Sequence, residues 1–168
     1  MMKEIQYYLE NYNGTIGGVK MSNILQKMQI HYIVMANPDG VTISQTKHSR
    51  WKSNGRGVDL NRNFPAKHFI PGGKKGEQGY SGPKALSEPE SYAVATLTRQ
   101  LIKQQNLQGV VNYHAMGRII YGDCTKGSLK KDTYKMYDIA KKITGYSKAP
   151  DSGSGRSWGG QYREYVMD

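Results

Sequence analysis

An amide and a guanidinium stand side by side at Asn61 and Arg62, directly after the apolar step from Val58 to Leu60. A guanidinium presents planar, forked N–H donors that match a carboxylate in a two-pronged fashion, and a neighbouring amide adds a further donor. The pair therefore suits an anionic ligand group, above all a carboxylate. Taken alone, an adjacent Asn and Arg is also compatible with a solvated loop.

His114 is the histidine best placed for metal chemistry. It ends an apolar run and precedes a turn of small residues, the position at which open α/β sheets present ligand and catalytic groups. His31 lies among apolar neighbours and is interpreted as a structural histidine, whereas His48 and His68 lie in loops without a partner at ligand spacing. The sequence thus offers one candidate metal ligand.

The elements that must position these residues alternate between helical and extended patterns. Such alternation predicts an α/β fold, with helices packed on a sheet. The capping sequence Ser87 to Glu90 predicts the start of a helix in which Val94, Leu97 and Leu101 face the core. Further helices are predicted over 3–13 and 134–143, the last closed by Gly145, and strands over 28–35, 109–114 and 118–121.

Residues 40–86 show almost no periodicity and are rich in Gly, Lys, Asn and Pro. The Asn-Pro-Asp-Gly sequence at 37–40 has the composition of a turn that ends the strand predicted before it. A structureless segment of this length is unusual in a compact domain unless it is functional. The candidate carboxylate-binding pair lies within it.

A length of 168 residues predicts one domain. The 24 Lys and Arg exceed the 13 Asp and Glu by eleven charges, which favours anionic partners such as nucleic acid, wall polymers or acidic peptides. The basic residues are scattered and are not interleaved with aromatic residues along one stripe, so a solvated surface is favoured over a nucleic-acid interface. Cys124, a single cysteine, excludes an intrachain disulfide and a thiolate zinc cluster.

No apolar stretch reaches the length of a membrane span. The start of the chain is charged and amphipathic and lacks the apolar core of a signal peptide, so the chain as given is expected in the cytoplasm. An upstream signal would instead direct it to the cell wall or the exterior.

The motif at 51–64, preceded by Asn-Pro-Asp-Gly at 37–40, resembles the zinc carboxypeptidase family, most closely its bacterial branch that acts on cell-wall peptides. The sequences at 80–83, 87–90 and 110–114 also fit, so the resemblance extends over about residues 28–114. It implies a mixed, mainly parallel central sheet flanked by helices. It also implies zinc as cofactor and a peptide or wall peptide with a free carboxylate as substrate.

By this resemblance, Asn61 and Arg62 hold the terminal carboxylate of the substrate, and His114 is a zinc ligand. The family's oxyanion-stabilising arginine follows an aromatic residue; here Lys52 follows Trp51, and Arg56 is the other candidate. Two further matches are looser. Tyr146 corresponds to the family's mobile tyrosine, and the glycine-rich stretch 152–162 resembles the segment that precedes the family's substrate-pocket helix.

Three family features are absent from this sequence. The first two zinc ligands come from a His-x-x-Glu motif, which does not occur here, and the general-base glutamate lies on a late strand beyond a segment like 161–168. Glu164 lies too close to the glycine-rich stretch to be that residue. A catalytic zinc needs three protein ligands and an open position, so the sequence predicts weak zinc binding and no appreciable activity of this chain alone.

Three hypotheses follow from the sequence. In the first, residues 1–168 are one partial catalytic domain of a zinc carboxypeptidase-like hydrolase, incomplete at both ends, whose bared strand edges and apolar faces favour self-association. In the second, the chain is a carboxylate-binding pseudoenzyme. In the third, it is a basic nucleic-acid-binding domain. Release of a C-terminal amino acid and cleavage at diaminopimelate in wall peptides are not separable at this point.

Overall fold

The structure is a computed structural model that describes residues 2–67, 69–105, 107–115, 117–121, 127–149 and 159–167. It divides into an N-terminal unit, Met1–Ala36, and a C-terminal unit, Asn37–Asp168. Each unit is described by itself. Among the described helices, none combines the length and the apolar content needed to cross a membrane.

The N-terminal unit consists of two helices and a small hairpin. Helix α1 (Met2–Glu10) confirms most of the helix predicted over 3–13, although it ends three residues earlier. Strands β1 (Thr15–Ile16) and β2 (Val19–Lys20) pair antiparallel around a two-glycine turn, and helix α2 (Met21–Leu25) follows directly. The apolar face of α1 borders a hollow of about 210 Å³ that is lined by Ile5, Tyr8, Leu9, Leu25, Ile30 and Tyr32.

The strand predicted over residues 28–35 is wrong. The structure gives this segment no regular secondary structure, and within the described part of the chain no strand pairs with it. A strand obtains its backbone hydrogen bonds from a neighbour, so an apolar run without a neighbour stays irregular. Its apolar side chains are exposed as a result: Met28, Ile30, Ile33, Val34 and Met35.

The C-terminal unit begins with a helix where the sequence predicted a turn. Helix α3 (Pro38–Thr46) starts immediately after Asn37, whose Oδ1 accepts a hydrogen bond from the Gly40 N–H at 3.0 Å. Asn is a strong N-cap residue and Pro fits the first helical position, because the missing N–H has no partner there anyway. The Asn-Pro pair therefore begins a helix and does not end a strand.

Helix α4 (Pro89–Gln105) confirms the helix predicted after Ser87, and it buries Ala95 and Thr98 while Val94, Leu97 and Leu101 are half-buried. The predicted capping box is wrong in its contacts. The Ser87 hydroxyl donates to Glu88 Oε1 at 2.8 Å. It also accepts from Asn63 Nδ2 at 3.0 Å, so it belongs to a network described below.

The predicted strand at 109–114 is also wrong, because the segment pairs with no strand in the described residues and exposes Val110, Val111 and Tyr113. The short strand predicted at 118–121 is present as β3 (Ile119–Ile120), which pairs parallel with β4 (Ser147–Lys148). Between them, helix α5 (Gly127–Thr144) begins seven residues before the predicted start. Gly145 ends it with a positive φ of 68°.

Helix α6 (Tyr162–Met167) completes the unit. The described residues thus contain helices and strands, as the predicted fold class requires. The predicted mixed, mainly parallel central sheet is not formed by the described residues, which contain instead one antiparallel and one parallel two-stranded pair.

Candidate functional site

The loop that carries Asn61 and Arg62 is folded by a buried carboxylate. Asp59, only 7% exposed, precedes the 3-10 turn Leu60–Arg62 and accepts a hydrogen bond from the Asn61 N–H at 3.2 Å through Oδ1. Its other oxygen accepts from the Gly79 N–H at 3.0 Å. Because both oxygens are used within the protein, Asp59 fixes the turn that presents the two candidate ligand-binding side chains.

Asn63 connects the same loop to the start of α4. Its side chain is fully buried, and Nδ2 donates to the backbone oxygens of Ser81 at 2.7 Å and Lys84 at 2.9 Å. Its Oδ1 accepts from the Ser91 hydroxyl and from the Glu88 N–H. The amide therefore joins three segments of chain next to Arg62.

A buried carboxylate at Glu88 forms the centre of a second set of contacts. Glu88 is 1% exposed, and Oε2 accepts from Asn54 Nδ2 at 2.8 Å. Oε2 also lies 3.4 Å from the Nε of Arg56, whose side chain is 66% exposed. Arg56 therefore forms an ion pair with the buried Glu88 carboxylate. Removing the Arg56 charge would leave that carboxylate without its positively charged partner, which is unfavourable.

The end of the described chain packs on the candidate ligand-binding pair. The Tyr162 N–H donates to Asn61 Oδ1 at 3.1 Å, and the Phe64 N–H donates to the Gly160 oxygen at 3.0 Å. The Phe64 ring lies 4.9 Å from the Tyr162 ring and 5.8 Å from the Tyr165 ring, measured between centroids. These contacts place residues 159–167 against the Asn61 and Arg62 turn.

Arg62 is half-buried and retains hydrogen-bonding capacity. Its Nη1 donates to the Asn61 backbone oxygen at 2.7 Å, whereas its Nε is buried and has no hydrogen-bond partner among the described residues. A buried guanidinium N–H without an acceptor is unfavourable unless a ligand supplies one. The side chain is thus fixed on one side and lacks an acceptor on the other.

His114 lies in the electrostatic field of this group. Loss of water around the ring lowers its pKa most, although part of the side chain remains exposed. The positive charges of Arg62, Lys52 and Arg163 lower the pKa further, and the negative charge of Asp59 opposes them. Arg62, Asp59 and Lys52 thus act electrostatically on His114.

The other predicted site residues, Arg56 and Tyr146, make different contacts. Arg56 is absent from the charges that act on the pKa of His114 and is paired with Glu88. Tyr146 is 40% exposed and donates its backbone N–H to Thr144 Oγ1 at 3.2 Å, and no described contact joins it to Asn61 or Arg62. Residues 152–158 of the glycine-rich stretch lie outside the described residues.

The described residues do not fit a zinc site. No group of three or more His, Cys, Asp and Glu side chains able to hold a metal occurs in the described ranges. Asp59 is the carboxylate whose charge reaches His114, but its oxygens accept hydrogen bonds from the Asn61 and Gly79 N–H groups. We therefore derive no chemical step through a metal.

Sequence reasoning missed two contributors to the site. Asn63 was part of the recognised motif but carried no predicted role, and Arg163 had no signal apart from its place just after the glycine-rich stretch. Asn63 contacts residues 18 to 28 positions further along the chain, and Arg163 follows Tyr162, whose N–H bonds to Asn61 across 101 residues. No local sequence pattern predicts contacts between residues that are so far apart along the chain.

Comparison with known proteins places this site in a family context. A sequence model described as zinc carboxypeptidase matches residues 1–163. A gamma-D-glutamyl-L-diamino acid endopeptidase 1 from Lysinibacillus sphaericus is 27% identical over 178 aligned positions, which cover 92% of this chain and 43% of that protein.

Two further relatives are matched over shorter regions. Human carboxypeptidase B2 is 29% identical, with 80% of this chain and 34% of the relative covered. Murein peptide amidase A from Escherichia coli K12 is 34% identical, with 50% of this chain and 35% of the relative covered. The chain therefore spans less than half the length of these relatives.

Proposed function

The chain belongs to the zinc carboxypeptidase family, and on that premise we propose that its C-terminal unit binds the free carboxylate of a peptide or cell-wall peptide through Asn61 and Arg62. The observation that carries this proposal is the buried Nε of Arg62, which has no acceptor among the described residues. A ligand carboxylate supplies that acceptor and neutralises the guanidinium charge.

The surrounding contacts support a preorganised site. Asp59 and Asn63 hold the turn on both sides of the pair through buried hydrogen bonds, so little conformational entropy remains to be lost when a ligand binds. The Asn61 amide oxygen already accepts from Tyr162 at 3.1 Å, which leaves its N–H donors directed to other acceptors. One guanidinium and one amide then share one carboxylate.

Lys52 and His114 extend the site toward the rest of a bound peptide. Lys52 is exposed and its charge reaches His114, so it is better placed than Arg56 to stabilise a developing oxyanion. We assign His114 the role of a single metal-ligating imidazole. The role of Tyr146 as the mobile tyrosine is a proposal that rests on the resemblance to the family alone.

Hydrolysis of peptide or wall-peptide bonds is the activity that family membership suggests for a complete site. The names of the relatives include a carboxypeptidase, an endopeptidase for gamma-D-glutamyl-L-diamino acids and a murein peptide amidase. The second candidate function is carboxylate binding without catalysis. It is favoured by the lack of a three-ligand group in the described ranges.

We expect the 168-residue chain to bind zinc weakly and to release no product from peptide substrates, because one imidazole forms neither a closed nor a catalytic site. Isothermal titration with zinc, and chromatography after incubation with a peptide and a wall tripeptide, measure the two properties. One tightly bound zinc per chain, or hydrolysis that a chelator abolishes, would show that ligands outside the described residues complete the site.

Replacing Arg62 by glutamine is expected to weaken binding of acetyl-Ala-Ala at least about tenfold, because the charge-assisted hydrogen bonds to the terminal carboxylate are lost. NMR titration of the labelled protein gives the dissociation constants. The C-terminal amide of the same dipeptide, which lacks the charge, should bind weakly to both proteins.

Arg50→Gln is the matched control, since it removes the same charge from an exposed arginine outside the turn. It should leave the affinity for acetyl-Ala-Ala within about twofold of the original value, as expected for a screened surface charge. Equal affinity of the original chain for the acid and the amide would refute carboxylate binding at Asn61 and Arg62.

A further inference from the structure

The chain contains two Asn-Gly pairs, Asn13-Gly14 and Asn54-Gly55. In such a pair the backbone nitrogen of the glycine can attack the side-chain carbonyl carbon of the asparagine, because glycine has no side chain to obstruct the approach. The amide nitrogen leaves as ammonia together with the glycine proton, and a cyclic succinimide forms. Water then opens the ring to aspartate or isoaspartate. Both pairs are therefore potential sites of spontaneous deamidation.

The fold immobilises the second of these pairs. Asn54 is 1% exposed, and its Oδ1 accepts hydrogen bonds from the Arg56 N–H at 3.1 Å and the Val58 N–H at 3.0 Å. Its Nδ2 donates to Glu88 Oε2 at 2.8 Å. Ring closure requires the carbonyl carbon of Asn54 to turn toward the Gly55 nitrogen, which would break these hydrogen bonds. The folded C-terminal unit thus keeps Asn54 in an unreactive position.

The same contacts make the deamidated product incompatible with the fold. An aspartate at position 54 would place an oxygen where Nδ2 now lies, 2.8 Å from Glu88 Oε2 and 3.2 Å from Glu90 Oε1. Carboxylates that share a buried site repel each other strongly, and Arg56 supplies a single positive charge against them. Isoaspartate would in addition lengthen the main chain between residues 54 and 55.

From these contacts we propose that Asn54-Gly55 is a deamidation site that becomes reactive only when the C-terminal unit unfolds, and that its modification prevents refolding. Ligand binding plays no part in this reaction. Asn13 is exposed in the turn after α1 and belongs to the N-terminal unit, so its conversion to aspartate places no carboxylate beside Glu88. The first pair therefore serves as an internal reference for the second.

Peptide mapping by mass spectrometry measures deamidation of both pairs in the same sample. The chain is incubated at one mildly alkaline pH, with and without urea. In urea the two pairs should convert at similar rates, because neither keeps its native contacts. Without urea, Asn54 should convert at least about a hundredfold more slowly than in urea, since the reaction waits for a stable unit to open. Equal conversion of Asn54 in both solutions would overturn the proposal.

Refolding after dilution from urea tests the consequence of the modification. The fraction that regains the native circular dichroism spectrum should fall in step with conversion of Asn54. Samples held in urea at mildly acidic pH, where the glycine nitrogen rarely loses its proton and the ring closes slowly, should refold completely. Complete refolding of chains that carry the modification at Asn54 would refute its incompatibility with the fold.

Two substitutions at the pair separate this reaction from other damage in urea. Asn54→Asp should unfold at a lower urea concentration than the original chain, whereas Asn13→Asp, at the exposed pair, should leave the midpoint unchanged. An unchanged midpoint for Asn54→Asp would contradict the proposal.

Gly55→Ala places a methyl group next to the attacking nitrogen and should preserve refolding after the alkaline urea incubation. The added Cβ would approach Asp39 Oδ2 at 2.6 Å, but that atom ends an exposed side chain and can move away. If Gly55→Ala lost the ability to refold as fast as the original chain, deamidation of Asn54 would not be the cause.

Discussion

Replacing Asn63 by alanine is expected to lower the free energy of unfolding of the C-terminal unit by about 3 to 4 kcal/mol, the largest effect predicted here for a single substitution. The side chain is 0% exposed and bonds to both the 81–84 segment and the start of α4. Alanine would leave the Ser81 and Lys84 oxygens and the Ser91 hydroxyl buried with fewer partners. Each such orphaned group costs about 1 to 3 kcal/mol.

Urea denaturation followed by tryptophan fluorescence measures this change, because Trp51 lies in the C-terminal unit. Asn112→Ala is the matched control: Asn112 is exposed, and its described contact is a 3.5 Å approach of Nδ2 to His114 Nε2. It should change the free energy of unfolding by less than about 0.5 kcal/mol. Similar urea midpoints for Asn63→Ala and Asn112→Ala would mean that the hydrogen bonds of Asn63 do not stabilise the loop that carries Asn61 and Arg62.

Replacing Gly160 by alanine is expected to detach residues 159–167 from the Asn61 and Arg62 turn, at a cost of about 2 to 3 kcal/mol. Gly160 has a φ of 80°, a conformation that disfavours any side chain. An added Cβ would lie 2.9 Å from the Arg62 carbonyl carbon, closer still to its oxygen, and 2.9 Å from Phe69 Cδ2. Since two of these atoms are backbone, the clash is relieved by separation of the two segments.

Amide hydrogen exchange reports the separation directly. The Phe64 N–H, which donates to the Gly160 oxygen at 3.0 Å, should exchange at least about tenfold faster in the variant, since 1.4 kcal/mol of local opening corresponds to a factor of ten.

Gly145→Ala is the control that separates the effect of backbone strain at a positive φ from the effect of a steric clash with the added Cβ. Gly145 also has a positive φ, 68°, but an added Cβ there would meet no atom within 4 Å. That variant should lose only about 1 kcal/mol of stability and leave exchange at Phe64 unchanged. Unchanged exchange in Gly160→Ala would show that the segment 159–167 is not held by the contact at Arg62.

The predicted secondary structure succeeded where its stabilising contacts are local. A helix forms its hydrogen bonds within four residues, so the periodicity before Gly14 and after Ser87 was enough to predict α1 and α4, and Gly145 correctly marked the end of α5. The strands predicted at 28–35 and 109–114 failed, because a strand is decided by a partner that no local pattern reveals.

The candidate site shows the same division. Residue types and spacing, together with the family resemblance, singled out Asn61, Arg62 and His114 as candidates, because their chemistry is a property of the side chains themselves and of a recognisable motif. The choice between Lys52 and Arg56 was open in the sequence. It depends on the ion pair of Arg56 with the buried Glu88 and on the reach of the Lys52 charge to His114.

The sequence by itself determined family, net charge and the chemistry on offer: a guanidinium and an amide for a carboxylate, and one imidazole for a metal. The tertiary structure alone decided that Asn63 is a buried connector, that Gly160 lies close to Arg62, and that the Tyr162 N–H bonds to Asn61. The physical reason is the separation along the sequence of the residues that make these contacts. Burial, close approach and electrostatic coupling depend on which distant segments meet, and that is a property of the folded chain.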